Sequence, residues 1–133
     1  PMNIEVKITA PLTKASPKVR AWLAKPRPML IDAEWVFARS GKTFQVLDPA
    51  TASPIAEVAE GDKADIDAAV AAARRAFDGG LWRTMTPSER GRIIHRIGDL
   101  IYENMDELAE LDSLDNGKPK LVAKAADVTL AAD

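Results

Sequence analysis

The sequence contains no cysteine among its 133 residues. That excludes disulfides, thiolate metal sites and a cysteine nucleophile within this stretch. It also fits a reducing compartment, and a cytoplasmic setting is the expectation. There is one histidine, His95, so no histidine pair is available to share a metal. It falls between Ile94 and Arg96 inside a helical pattern, where a surface or boundary position is preferred over a general base. No glycine-rich phosphate loop occurs, because Gly79–Gly80 reads as a helix stop and not as part of G-x-G-x-x-G. The longest unbroken apolar run is Ala68–Ala73, far short of the ~20 residues that span a bilayer. No membrane partner is expected, and the N-terminus carries no apolar core of signal-peptide length. The formal net charge of −2 supplies no pull toward nucleic acid. Trp22, Trp35 and Trp82 are scattered, as packing anchors are, and do not form a stacking platform.

What remains is ordinary for one modest globular domain, with 47% hydrophobic and 29% charged residues. The chain opens Pro1–Met2 and closes Val128–Thr129–Leu130–Ala131–Ala132–Asp133 inside an apolar pattern, so truncation at the C-terminus is expected. Residues 1–15 carry no clear period and read as a mobile arm. Ser16–Pro17 then gives an N-cap with proline at the first helical position, followed by Val19, Trp22 and Leu23 at helical spacing. Lys14, Lys18, Arg20, Lys25 and Arg27 make this leader basic. Such a stretch can bind anions or act as a transit peptide, but a solvated amphipathic leader is the preferred reading.

Met29–Leu30–Ile31 and Glu34–Trp35–Val36 flank Asp32–Ala33 as a short hairpin, although its turn would favour glycine where Ala33 stands. Thr43–Leu47 and Ile55–Val58 add two strands about the Asp48–Pro49–Ala50–Thr51 turn, giving a small antiparallel sheet. From the N-cap Asp62, the residues Ile66, Ala69, Val70, Ala73 and Phe77 mark one face of a helix. That helix is expected to end at Gly79–Gly80 through a left-handed C′ glycine. Thr86–Pro87–Ser88–Glu89 is a capping box, followed by the stripe Ile93, Ile94, Ile97, Leu100 and Ile101. Gly91 and Gly98 suggest close backbone packing on one side of that helix. Asn104 is a candidate cap for a further helix bearing Leu108, Leu111 and Leu114. Asp115–Asn116–Gly117–Lys118–Pro119 is a dense turn signal, and a last helix is expected over 120–126.

Few residues suggest chemistry. Asp106, Glu107, Glu110 and Asp112 form an acidic cluster that could hold a cation, but it spreads around a helix and the preferred reading is a solvated face. Asp115 sits at a helix end beside a tight turn. A carboxylate near free carbonyls suits a hard cation, while spacing alone favours a cap or turn role.

Taken together these segments resemble the aldehyde dehydrogenase superfamily. Leu30–Val36 is similar to its opening hairpin, and Ser40–Phe44 with Asp48–Thr51 to the next strand and turn. Val58–Asp62 followed by Ala69–Phe77 is similar to the first long helix. Trp82–Arg83 and Thr86–Arg92 resemble the start of the second, and Leu114–Asp115–Asn116–Gly117–Lys118–Pro119 is the most distinctive piece. The look is nearest to bacterial members acting on phenylacetaldehyde or betaine aldehyde. Ala33 departs from the family's usual glycine in the hairpin, and Ala52–Ser53 departs from glycine followed by a polar residue.

The resemblance implies an α/β fold of which this is the N-terminal part: small antiparallel β-hairpins followed by helices of the Rossmann-like coenzyme domain. It divides the chain into an arm with a short helix (residues 1–28) and an incomplete coenzyme-binding domain (29–133). It implies a parent oxidoreductase that oxidises an aldehyde to an acid with NAD or NADP. There a cysteine thiolate attacks the aldehyde, and a glutamate-activated water releases the thioester. It implies a homodimeric or homotetrameric parent. The reacting groups and the coenzyme-holding strands lie downstream of Asp133 in the family, so no catalytic or coenzyme residue is assigned here and the chain is expected to be inactive alone. One family feature maps onto these residues: a monovalent cation, K+ or Na+, held by Asp115 and by the backbone carbonyls of Val46 or Leu47. The alternative to an enzyme part is a free-standing helical interaction or scaffold protein that reuses the family's helices. Alone, the chain is expected to be partly ordered and prone to aggregate, since its helical stripes await a sheet.

Overall fold

A computed structural model describes residues 15–133. The unpatterned arm expected for residues 1–15 lies, up to residue 14, outside the described residues. Helix α1 (Pro17–Leu23) begins as its sequence dictates, with the Ser16 hydroxyl accepting from the Val19 amide at 3.3 Å and Pro17 at its first position. Val19 and Leu23, one turn apart, are buried.

Strands β1 (Met29–Ile31) and β2 (Glu34–Val36) form one antiparallel pair, with Leu30 opposite Trp35. Strands β3 (Thr43–Leu47) and β4 (Pro54–Ala59) form a second, with Phe44 opposite Val58 and Val46 opposite Ala56. These are two separate two-stranded sheets, where the sequence suggested a single one. The register of the second pair shifts between Val46 and Leu47, which ends regular pairing beside the Asp48–Pro49 turn. Arg27 adds a short extension to β4, donating its amide to the Glu57 carbonyl at 2.8 Å and accepting from the Ala59 amide at 2.9 Å.

The two family departures fall on strained backbone. The hairpin turn holds Asp32 at φ 56 and Ala33 at φ 63, and Ala52 stands at φ 54. Both alanines occupy the left-handed region that disfavours a side chain.

Helix α2 (Lys63–Gly79) starts with a capping box, in which the Asp62 side chain accepts from the Ala64 amide and Asp65 accepts from the Asp62 amide. Its end differs from expectation. Gly80 is extended, with φ −76, so no left-handed cap forms there. Glycine is needed at that point for space, because a Cβ would stand 2.1 Å from the Ala76 carbonyl oxygen. A single turn, α3 (Leu81–Thr84), leads to α4 (Pro87–Glu103), whose Thr86–Glu89 capping box is formed as read. Of the two glycines of α4, Gly98 meets a neighbour: a Cβ there would lie 2.5 Å from the Ala132 oxygen, while Gly91 faces open space.

Helix α5 (Met105–Asn116) follows directly. Asn104 precedes it without capping it, since its side-chain amide donates back to the Leu100 carbonyl. The last segment runs further than expected, as α6 (Lys120–Val122), a π-helical turn (Ala123–Val128) and α7 (Thr129–Ala132). The π turn has a packing consequence. Residues five apart in an α-helix point ~140° away from each other, but the wider turn lets Ala123 and Val128 both pack on Ala109 of α5.

Among the described residues the core is therefore two small clusters joined by α5. One holds Ala15, Val19, Leu23, Ile55 and Ala56 with Leu111 and Leu114 against it, and the other holds Ala109, Ala123 and Val128. The apolar face of α2 is not part of either cluster, and of the α4 stripe Ile101 alone packs against the second. Ile66, Val70 and Phe77, and likewise Ile93, Ile94, Ile97 and Leu100, are exposed. What α2 does cover is the hairpin turn, with Ala69, Ala72 and Ala73 lining a shallow cleft beside Leu30 and Ala33.

Replacing both strained alanines tests the backbone account. Each left-handed alanine costs ~1–2 kcal/mol, and glycine gives back ~0.5–1 kcal/mol in backbone entropy. Ala33→Gly and Ala52→Gly should therefore each stabilise by about 0.5–1 kcal/mol and add when combined. Denaturant melts of the single and double variants check this, and a loss of stability in both singles would contradict it.

Candidate functional site

The Asp-Asn-Gly-Lys-Pro turn meets the β3–β4 turn at one point. Gly117 caps α5 in the left-handed conformation, φ 80, and a Cβ there would come within 2.9 Å of Pro49 Cγ. Only glycine satisfies both the handedness and this close approach. The contact brings the end of α5 beside the end of β3. Between them, α1 and β4 enclose a pocket of about 320 Å³, lined by Val46, Ile55, Leu111, Asp112 and Asp115 among others. The Arg27 guanidinium lies 4.8 Å from the centre of the Trp22 ring at its edge.

Of the sequence-assigned residues, Asp115 and Val46 reach this pocket together. Asp115 is exposed and Val46 half-buried. Leu47 ends β3 opposite Pro54 and is exposed, and its side chain does not line the pocket. Asp112, read in the sequence as one member of a solvated acidic cluster, also lines the pocket. One of its carboxylate oxygens accepts from the Asn116 side-chain amide at 2.6 Å, and the other is buried without a hydrogen-bond partner. Lys118 approaches that second oxygen only to 3.9 Å, because its ammonium is engaged by Asp127. That pairing holds Asp127 below the usual carboxylate range and raises Lys118. Among the described residues, no group of three or more histidine, cysteine or acidic side chains is placed to hold a metal by itself. Any cation here would need backbone carbonyls.

The acidic cluster of α5 is solvated only in part, with Asp106 exposed, Glu107 and Asp112 half-buried and Glu110 buried. Asp106 accepts from Lys124 at 2.6 Å, Glu107 pairs with Lys18, and Glu110 accepts from Lys120 at 2.8 Å. Glu110 is buried and also accepts the Ser16 amide at the start of α1. Burial pushes its carboxyl upward, but the hydrogen bonds from Lys120 and Ser16 outweigh that and leave it lowered. Two more buried carboxylates hold loops. Asp48 takes the Thr51 hydroxyl at 2.6 Å and the Ala50 amide at 3.1 Å, which hold it low against burial. Asp65 takes the Asp62 and Arg39 amides, fastening the segment after β2 onto α2, and is likewise lowered, first by the Asp62 bond. The Asp62-x-x-Asp65 spacing could have revealed the last of these, as a short version of the capping box. Nothing local marks Glu110, whose partners lie ten and ninety-four residues away. His95 is exposed on α4, 4.0 Å from Asp99, in keeping with a surface role.

No described helix is long and apolar enough to cross a membrane. In comparison with known proteins, the aldehyde dehydrogenase family profile matches residues 35–133. The chain is 48% identical over 104 residues to aldehyde dehydrogenase family 2 member C4 of Arabidopsis thaliana, covering 78% of this chain and 21% of that protein. Its structure superposes on the NAD+ complex of an aldehyde dehydrogenase from Bacillus cereus with a TM-score of 0.83 and 47% identity, over 87% of this chain and 24% of that one. A betaine aldehyde dehydrogenase from Staphylococcus aureus, also solved with NAD+, gives a TM-score of 0.72 at 37% identity, over 74% of this chain and 20% of that one. The chain thus spans between a fifth and a quarter of the length of these relatives, and its two small sheets and helices match the N-terminal part of their fold.

A pH-resolved comparison tests the role of Glu110. Glu110→Gln should cost about 1–2 kcal/mol at neutral pH, the scale of a partly screened charged hydrogen bond. Because the folded carboxyl is lowered, its contribution is present above the ordinary glutamate range and is lost as pH falls through the folded value. The gap between parent and variant should close on acidification, and a gap independent of pH would contradict the assignment.

Proposed function

The chain belongs to the aldehyde dehydrogenase family, and from that membership we propose that it is part of an enzyme oxidising an aldehyde to a carboxylic acid with NAD or NADP. Its share is architectural. Residues 29–133 supply the hairpins and the helices that flank the coenzyme domain, and residues 1–28 form a leader to it. The observation that carries this reading is the fold match at 47% identity over less than a quarter of an enzyme solved with NAD+. The open apolar faces of α2 and α4 support it, because they suit cover by the sheet that the longer relatives carry. The chain itself has no cysteine, so the thiolate that attacks the aldehyde, and the thioester that water then releases, belong to other parts of the enzyme. We place the enzyme in the cytoplasm, as a homodimer or homotetramer, and the 133-residue chain as inactive alone.

Asp115, with the backbone carbonyls of Val46 and Leu47, would hold K+ or Na+ in that enzyme. What supports this reading is that Asp115 and Val46 line one pocket, with Asp112 as a second carboxylate beside them in an otherwise apolar lining. When bound, the cation would tie the end of β3 to the end of α5, a structural role with no part in bond breaking.

Two measurements test the proposal. Aldehyde-dependent NADH formation should appear with the protein read through the whole frame and be absent from the 133-residue chain. Activity in the short chain, or none in the long one against a panel of aldehydes, would overturn it. In the long protein, K+ or Na+ should raise the melting temperature above choline at equal ionic strength, by mass action on the folded state. Asp115→Asn should reduce that rise, and an unchanged rise would remove Asp115 from the site.

A further inference from the structure

The Asn116–Gly117 pair combines the groups of a known backbone reaction, and the fold restrains each of them. The chain has three asparagines, and only Asn116 precedes glycine, since Asn3 precedes Ile4 and Asn104 precedes Met105. A glycine nitrogen with no Cβ beside it is the least hindered nucleophile available to a preceding asparagine. In the native turn the Gly117 amide donates to the Ser113 carbonyl at 3.0 Å. The Asn116 side chain is held at both ends, its nitrogen donating to Asp112 at 2.6 Å and its oxygen accepting the Lys118 amide at 2.8 Å. Pro49 crowds Gly117 from the other side. Asn116 is nevertheless solvent-exposed, so water reaches it whenever the turn opens.

We propose that Asn116 is a spontaneous deamidation site that the closed α5 cap protects and local opening releases. Once the turn opens, hydroxide takes the Gly117 amide proton and the nitrogen attacks Asn116 Cγ. A new C–N bond forms, the bond from Cγ to Nδ2 breaks, and the departing nitrogen takes a proton from water, restoring the hydroxide, and leaves as ammonia. The resulting succinimide takes up one water at either carbonyl, giving aspartate or isoaspartate at position 116. No oxidant or metal is required.

The product cannot close the turn again in the same way. Where the amide of Asn116 donated to Asp112, a second carboxylate would now face it, beside Asp115 and at a helix C-terminus that disfavours negative charge. The modification is therefore a one-way loosening of the junction between α5 and the β3–β4 turn.

The experiment is peptide mapping by mass spectrometry of the intact protein, aged in mildly alkaline buffer with and without urea, with isoaspartate detected by enzymatic methylation. In the unfolded chain, position 116 should deamidate ahead of Asn3 and Asn104. In the folded protein it should be slowed by roughly tenfold or more, the protection expected of a closed turn, and should speed up in urea below the unfolding midpoint. Equal folded and unfolded rates, or Asn104 reacting first in urea, would overturn the proposal. Asn116→Asp should show faster amide exchange across 115–118 than the uncharged Asn116→Ser. Equal exchange in the two variants would refute the one-way loosening.

Discussion

Glu110 stands where α1, α5 and α6 meet, and its buried carboxylate accepts from the first two elements' junction at Ser16 and from Lys120 of the third. Much of the described fold depends on that arrangement. On one side of α5, Leu111 and Leu114 reach the cluster of Val19, Leu23 and Ile55, and on another Ala109 meets Ala123 and Val128. A helix of twelve residues thereby links two cores that are each too small to stand alone. The charge is tolerated inside because both hydrogen bonds are made to it. Removing either partner would leave a buried anion unsatisfied, which costs more than the bond itself contributes.

Away from α5 the packing thins. Helix α2 is fixed at its N-terminus by Asp65, which joins it to the Arg39 amide, and it lies beside the β1–β2 turn, but Ile66, Val70 and Phe77 face outward. Ile93, Ile94, Ile97 and Leu100 of α4 do the same. Burying such side chains is worth ~1.5–3 kcal/mol each, so covering the seven would contribute on the order of 10 kcal/mol, as much as the whole stability of a typical domain. Surface of that size and pattern marks an interface. It agrees with a chain spanning only a fifth to a quarter of the relatives that share its fold.

Local signals were legible where a few neighbouring residues decide the outcome. Ser16–Pro17, Asp62 and Thr86–Glu89 start helices as their chemistry demands, and Gly117 ends α5 in the left-handed region. The hairpin was readable despite Ala33, because strand patterning and partner packing hold an alanine at φ 63 that its own preference would avoid. Tertiary facts were not legible. The Ile66–Phe77 stripe shows that a covering sheet is awaited, as the sequence implied, but not which residues supply it. The π turn at Ala123–Val128 answers to the shape of Ala109 and has no sequence mark of its own. The acidic residues of α5 looked solvated because their lysines, Lys18, Lys120 and Lys124, are distant in sequence. The Asp115–Val46 pocket follows from the contact of Gly117 with Pro49, which only the folded chain reveals.

Native-state amide hydrogen exchange, resolved along this 133-residue chain, tests the central claim that α5 organises the fold while α2 and α4 remain uncovered. The account predicts the slowest exchange in α5 and β4, with the C-terminal half of α2 opening at much lower free energy. Protection in that half of α2 equal to that of α5 would show that its apolar face is already covered, and would contradict the account.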